Sequence, residues 1–249
     1  MIVLAHLSDT HLDGREQRAE RTRRVLDYVN TLPGPVTAVL ATGDLADHGT
    51  HTEYEEVRKA LISPHPLFTC PGNHDKREPY RSVLLGEQAG GGPINRVHRL
   101  DGAVFAMCDS SIPGRDDGFL DDETLAWLDD VLAATDADTP VFVCFHHPPV
   151  RLYSPYLDEI RLHGEDRLAM LIRRYPQVAA VLCGHAHTAA ASTFAGRPLR
   201  VAPGVVSTLK LPWEHGDLLD YDQPPAIAFH VLDDERRLTT HYRVIPGSR

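Results

Sequence analysis

The sequence predicts an α/β chain whose functional site lies at the carboxyl ends of its strands. Three observations carry that expectation. Short, almost wholly apolar runs alternate with stretches of helical periodicity as far as His187, a strand-rich portion follows, and five of the apolar runs end on a small island of metal-binding residue types. Short apolar runs of this kind are the pattern of strands buried on both faces.

Taken in order, Met1 to Ser8 reads as the first strand. Arg15 to Leu32 spaces Ala19, Thr22, Val25, Leu26 and Val29 at helical intervals before Pro33-Gly34. Val36 to Thr42 is the second strand, and Thr52 to Leu61 is a helix with Tyr54, Val57 and Leu61 on one face before Pro64. Pro66 to Cys70 is the third strand. Asp121 to Leu132 is a helix with Leu125, Leu128 and Leu132 aligned and with acidic residues in its first turn, where they favour the helix dipole. Val141 to Phe145, a helix over Glu165 to Tyr175, and Val178 to Cys183 complete the alternation. The strand pattern of Ala190 to Phe194, Arg197 to Ala202, Ala226 to Leu232 and Leu238 to Val244 is expected to supply a second sheet. The five island-bearing strands are expected to end on one edge of a sheet, where open α/β sheets present ligand-binding loops.

The islands are Asp9-Thr10-His11, Gly43-Asp44, Gly72-Asn73-His74-Asp75, His146-His147 and Gly184-His185-Ala186-His187. Carboxylates, an amide oxygen and imidazoles form a mixed oxygen and nitrogen donor set without thiolate. That set suits manganese, iron, zinc, cobalt or nickel better than magnesium or calcium. Two cations roughly 3.5 to 4 Å apart can clamp the attacking and departing oxygens of an in-line displacement, and a shared carboxylate offsets their mutual repulsion. Asp44, alone at its strand end after Gly43, is the candidate bridge. Asp9 and His11, two residues apart, project to one side of an extended chain, and His185 and His187 repeat that spacing. Gly43 to Gly49 lacks the Gly-Lys-Ser/Thr ending of a phosphate loop, and no G-x-S-x-G elbow occurs. Isolated histidines such as His6 and His98 read as structural.

Composition agrees with one globular domain over residues 1–249. Apolar content of 42% and charged content of 24% are ordinary, and no linker, repeat or low-complexity tract divides the chain. The 25 basic and 35 acidic residues give a net charge of −10, which argues against a nucleic acid polymer as partner. Cys70, Cys108, Cys144 and Cys183 close apolar runs without C-x-x-C spacing and read as buried thiols. The N-terminus leads straight into Asp9 with no signal-peptide pattern and no run spans a bilayer, so a cytoplasmic protein without membrane contact is expected.

The order D-T-H, G-D-L-A-D, G-N-H-D, H-H-P-P and G-H-A-H resembles the calcineurin-like metallophosphoesterase superfamily over Ile2 to about His187. Gly43 to Gly49 together with Phe145-His146-His147-Pro148-Pro149 is similar to its class III cyclic-nucleotide phosphodiesterase branch, and related glycerophosphodiesterases share that pattern. The resemblance implies two packed mixed β-sheets flanked by helices, a four-layer αββα sandwich. It implies two divalent or mixed-valence transition metal ions, manganese and iron foremost, with zinc behind them. One would be held by Asp9, His11, Asp44 and His187, the other by Asp44, Asn73, His146 and His185.

The activity so implied is hydrolysis of a small soluble phosphodiester such as 3′,5′-cyclic AMP by a hydroxide bridging the metals. His74 is expected to donate a proton to the departing oxygen or to stabilise the phosphoryl oxygens. Asp47 matches the family position that orients this histidine; its alternative role is capping the helix at Thr52. Asn73, His74, His147 and Arg115 are the expected substrate contacts. Arg151, Tyr153, Tyr156 and Trp213 are further candidates, in turn-rich segments that would form the rim. A homodimer would be one way to complete that rim. The competing readings are a phosphomonoesterase or nucleotidase with the same metals, and a non-catalytic scaffold, against which the intact ligand set argues.

Overall fold

The computed structural model describes residues 1–100 and 102–247. In chain order its elements are β1 (Ile2–Leu7), α1 (Glu16–Asn30), β2 (Ala38–Thr42), α2 (His51–Ala60), β3 (Leu67–Cys70) and α3 (Arg77–Pro79), which runs into a π-helical turn over Tyr80–Leu85. Next come β4 (Arg96–Leu100), β5 (Ala103–Met107), β6 (Gly118–Phe119), α4 (Asp122–Ala133), β7 (Val141–Cys144), α5 (Pro155–Glu159), β8 (Leu162–His163), α6 (Glu165–Arg174) and β9 (Val178–Cys183). The chain closes with β10 (Ala190–Phe194), β11 (Arg197–Val201), β12 (Thr208–Leu209), β13 (Leu219–Asp220), β14 (Ala226–Leu232) and β15 (Leu238–Val244).

A five-stranded sheet in the order β15-β14-β1-β2-β3 packs on a six-stranded sheet in the order β10-β11-β9-β7-β5-β4. In the first, β1, β2 and β3 are parallel, and β14 and β15 join antiparallel at the β1 side. In the second, β5, β7, β9 and β11 are parallel, with β4 and β10 antiparallel at the edges. Between the sheets lies a core that includes Leu4, Leu40, Phe105, Met107, Phe142 and Leu182. On the outer face of the first sheet, Val25 and Leu26 of α1 and Tyr54 and Val57 of α2 pack with Val39 and Ala41. Leu128 of α4 and Leu168 and Ile172 of α6 do the same for Val143 and Val181 of the second sheet. The result is the four-layer αββα sandwich.

Two expectations need correction. The island-bearing strands do not share one sheet: β1, β2 and β3 lie in the first, β7 and β9 in the second. Nor do the late strands build a sheet of their own, since β10 and β11 extend the second while β14 and β15 extend the first. A continuous apolar run reports burial on both faces and is silent about which neighbour it pairs with. Between Cys70 and Val141, where no strand is expected from the sequence, the β4–β5 hairpin forms. The edge strand β4 alternates exposed and half-buried residues, and its strand state is imposed by pairing to β5.

Local chemistry sets the helix starts nearest the site. Thr50 caps α2: its hydroxyl accepts from the Glu53 amide while the Glu53 carboxylate accepts from the Thr50 amide, a reciprocal capping box. Asp47 is therefore not the cap. Asp121 caps α4 by accepting from the Thr124 amide. Among the described residues, no helix is long and apolar enough to cross a membrane.

Candidate metal centre

The carboxyl ends of β1, β2 and β3 from one sheet and of β7 and β9 from the other meet at the same end of the sandwich, and the islands converge there. His11 Nε2 lies 3.1 Å from His187 Nε2 and 3.5 Å from Asp44 Oδ2, and His187 Nε2 is 3.5 Å from Asp9 Oδ1. His146 Nε2 lies 3.2 Å from the same Asp44 Oδ2 and 3.2 Å from His185 Nδ1. Asn73 lines the cleft above them. Asp44 Oδ2 thus faces both groups, while Asp44 Oδ1 accepts the His74 amide at 2.9 Å. All seven expected ligands are brought together.

The backbone is bent to achieve this. Asp9, His11, Asp44, His185 and His187 all adopt positive φ, between 41° and 68°, a region that L-residues enter rarely. Strain of this kind concentrates at functional sites, where surrounding structure holds it in place. The glycines of the islands allow close approach. A Cβ at Gly72 would collide with the Asp44 carboxylate, and one at Gly184 with the Ser8 hydroxyl and, at 2.7 Å, with the Thr42 carbonyl.

Three of the four candidate ligand histidines are aimed by what holds their other nitrogen, whereas His185 turns Nδ1 to His146 Nε2 and leaves Nε2 without a partner. His11 Nδ1 donates to Asp47 Oδ1 at 2.9 Å, His146 Nδ1 to the Thr42 carbonyl at 2.6 Å, and His187 Nδ1 is hydrogen-bonded with Ser207 Oγ at 2.8 Å. In each case Nε2 is turned into the cluster, the usual support of a metal-bound imidazole. Four atoms of the cluster are buried with no hydrogen-bond partner: both carboxylate oxygens of Asp9, Oδ1 of Asn73 and Nε2 of His185. Buried polar atoms left without a partner in this way are costly and rare in folded proteins. Here they are all on expected ligands, so the residues present fit a pair of cations.

The electrostatics agree. For Asp9, burial, reinforced by the Asp44 charge, outweighs the nearby histidines and lifts the carboxyl to about 6. Burial lowers His146, but the charge and hydrogen bond of Asp44 and the charge of Asp9 outweigh it and raise the ring to about 9. His185 is pulled down to about 3 by burial and then by the His146 charge. Protein carboxylates alone leave these groups in conflict, which bound cations relieve.

The remaining expected residues divide. His74 lines the cleft; its Nδ1 donates to the Asp47 main-chain carbonyl at 2.7 Å, so it is Nε2 that is available for chemistry. The Asp47 carboxylate, expected to orient His74, holds His11, pairs with Arg18 at 3.0 Å and lies 3.9 Å from His74 Nδ1; the hydrogen bond from that nitrogen is accepted by the main-chain carbonyl of the same residue. His147 does not line the cleft: its ring is buried, with Nδ1 on Ser110 Oγ at 2.8 Å and Nε2 on the Asp116 carbonyl at 3.2 Å. One of its ring nitrogens does lie within 4.8 Å of those of His146 and His185. Arg115 is also outside the cleft, paired through two nitrogens with Asp117, and Asp116 lines the cleft in its place. Ser207 and Arg18 carry no motif that marks them in the sequence: Ser207 acts through His187, and Arg18 acts through Asp47 as well as through the nearby Asp13 and the His11 carbonyl.

The profile of the calcineurin-like phosphoesterases matches residues 2–189, which include every residue of the cluster. The chain belongs to the calcineurin-like phosphoesterase family. Among similar phosphoesterases, a probable cyclic nucleotide phosphodiesterase of Rhodococcus erythropolis is 36% identical, over 98% of this chain and 83% of its own. A cAMP/cGMP dual specificity phosphodiesterase of Mycobacterium tuberculosis is 33% identical over 84% of this chain and 69% of its own. A glycerophosphodiester phosphodiesterase of Enterobacter lignolyticus is 30% identical over 92% and 86%. A dimetal phosphatase of Danio rerio, 15% identical, shares the fold with a TM-score of 0.73 over 98% of this chain and 96% of that one.

Proposed function

We propose that this phosphoesterase is a metal-dependent phosphodiester hydrolase, with residues 1–249 acting as one catalytic domain, and that it opens a small diester such as 3′,5′-cyclic AMP. The observation that carries this reading is the single carboxylate oxygen of Asp44 facing two ligand groups whose other members include the partnerless atoms of Asp9, Asn73 and His185. Asp9, His11, Asp44 and His187 would hold one cation, and Asp44, Asn73, His146 and His185 the other. The donor set suits manganese, iron or zinc. Bound cations supply Lewis acidity, lowering the pKa of water and offsetting charge on the phosphoryl oxygens.

The protein's own groups do the rest. The His74 amide, by donating to Asp44 Oδ1, keeps Oδ2 turned toward both groups. The His74 ring, held at Nδ1 by the Asp47 carbonyl, presents Nε2 to the cleft, where it can donate a proton to the departing alkoxide. Arg18 is the one cationic Lys or Arg side chain lining the cleft among the described residues. Its guanidinium is already paired with Asp47 and bonded to the His11 carbonyl at 2.7 Å. A cleft without a free cation suits the single charge of a diester better than the double charge of a monoester. The names of the relatives point the same way.

The test is hydrolysis of bis-p-nitrophenyl phosphate and p-nitrophenyl phosphate by manganese-loaded protein with and without chelator. The diester should be turned over with the higher kcat/KM, and chelation should abolish it. Faster release of phosphate from the monoester would assign a phosphomonoesterase, and activity untouched by chelation would remove the metal reading.

A further inference from the structure

The cleft above the metal ligands has a volume of about 460 Å³ and two kinds of lining. Its floor is the ligand cluster. Its rim comes from two segments absent from the five islands. Helix α5, started by Pro155, contributes Tyr156, Leu157 and Ile160; the β12–β13 hairpin and the residue after it contribute Leu209, Leu219 and Tyr221. Tyr156 and Tyr221 are 50% and 47% exposed, so large aromatic faces stand in water at the mouth of a site whose floor is wholly polar.

The position of Tyr221 is held from below. Arg21 of α1 is a buried arginine whose guanidinium makes no carboxylate pair among the described residues. It donates instead to three main-chain carbonyls on either side of the β12–β13 hairpin: Nε to Val205 before it at 2.8 Å, and its terminal nitrogens to Tyr221 at 3.3 Å and Gln223 at 2.6 Å after it. A guanidinium used this way is a rigid multi-donor clamp on a loop that has little regular structure of its own.

We propose that this rim is a slot for the flat heteroaromatic base of a nucleotide diester, with Tyr156 and Tyr221 as its contact residues and Arg21 as the positioning residue for Tyr221. The proposal rests on the phosphodiesterase reading above and narrows it. Three features select the base. Tyrosine faces stack on any planar heterocycle, whereas the hydroxyls of a glycerol ester would meet Leu157, Ile160 and Leu209 without hydrogen-bond partners. A second phosphate is disfavoured because Arg18 is neutralised by its carboxylate partners and Asp116 adds a negative charge to the lining. The Asp116 carboxylate is, in contrast, an acceptor suited to an exocyclic amine.

The experiment compares manganese-loaded wild type with Tyr156→Leu, Tyr221→Leu and Arg21→Lys, each checked for unchanged metal content by mass spectrometry. Leucine keeps apolar bulk at the rim while removing the aromatic face. On 3′,5′-cyclic AMP, each tyrosine variant should raise KM about 5- to 100-fold with a much smaller change in kcat. The loss on glycerophosphoethanolamine should be at least fivefold smaller. Arg21→Lys should raise KM for cyclic AMP without a matching fall in kcat, a split that general loosening of the fold would not produce. Separately, equilibrium dialysis should show 5′-AMP binding the wild type at least tenfold more tightly than ribose 5-phosphate, with that preference lost in the tyrosine variants. Equal losses on both diesters, or equal binding of the two monoesters by wild type, would overturn the slot. Failure of wild type to hydrolyse either diester would instead remove the phosphodiesterase reading, and the dialysis comparison would still decide the slot.

Discussion

Asp44 is the residue on which the two ligand groups depend, because one of its oxygens lies 3.5 Å from His11 Nε2 and 3.2 Å from His146 Nε2. Losing a residue that only supports a ligand typically costs 10- to 100-fold, so Asp44→Ala should cost more than about 100-fold in diester turnover. Metal content measured by mass spectrometry should fall with it; retention of both metals and of activity would show that the bridge lies elsewhere. His74 makes a different prediction. Its ring is held by the Asp47 carbonyl, so His74→Ala should keep the metals and lose more activity on diesters with poor alkoxide leaving groups than on p-nitrophenyl esters. A plot of rate against leaving-group pKa reads this directly, and parallel losses would assign His74 to the phosphoryl oxygens. His146 makes a third. With its ring raised to about 9, it holds a proton at pH 7.5 that a metal must displace. Manganese titration by calorimetry in buffers of different ionisation enthalpy should report about one proton released from this group near neutral pH. That share should vanish as the pH rises through 9, and His146→Gln should abolish it.

The elements carry the site by ending where they do. Every island follows a strand end, and this was legible because an apolar run closed by Gly-Asp or Gly-Asn-His is a change of chemistry visible in one dimension. The helices were legible for the same reason, since one-face periodicity in α1, α2, α4 and α6 survives in the observed spans. The capping box of α2 is written in Thr50 and Glu53, although Asp47, expected to orient His74 and with capping as its alternative role, is also a good capping residue type. Thr50→Ala should therefore lower stability by about 1 kcal/mol in urea denaturation. Asp47→Asn should instead weaken metal binding at the His11 side while leaving the denaturation midpoint of the metal-free protein closer to wild type. Reversal of the two outcomes would restore the capping role to Asp47.

At the scale of the whole molecule, the two sheets are joined by a polar chain, half-buried at Arg200 and Thr240 and buried at its two histidines, as well as by their apolar core. Arg200 of β11 donates to Thr240 Oγ1 at 3.3 Å; Thr240 bonds with His230 at 2.9 Å, His230 with His6 at 3.0 Å, and His6 with Thr42 Oγ1 at 2.9 Å. Both rings are fully buried. Burial holds His6 down to about 3, and burial, the neighbouring ring and Arg200 hold His230 well below the usual histidine range. In the unfolded chain these histidines take up protons near pH 6.5, while in the fold they remain neutral. Their contribution to stability is therefore full above about pH 6.5. It is lost at about 1.4 kcal/mol per pH unit for each ring as the pH falls, His6 levelling off near pH 3. Urea denaturation of metal-free protein at pH 7.5, 6.0 and 5.0 should show this decline, with a shallower slope in His230→Gln; equal slopes would mean that the ring titrates normally in the fold.

By itself the sequence determined the chemistry and the local structure. Donor types, strand ends and helix faces are set by residues within a few positions of one another, and spacing reports them. Asp9, His11, Asp44, Asn73, His146, His185 and His187 were all readable in that way. Only the tertiary structure decided that β7 and β9 lie in a different sheet from β1, β2 and β3, and that the last strands extend both sheets. It also decided that the Asp47 carboxylate serves His11, that Ser207 holds His187, and that Arg115 and His147 leave the cleft to Asp116 and Tyr221. Those outcomes depend on which buried surfaces meet and on hydrogen bonds between residues 20 to 200 positions apart, such as His187 with Ser207 and Arg21 with Tyr221. Such pairings are selected by the packing of the whole chain, and no local pattern encodes them.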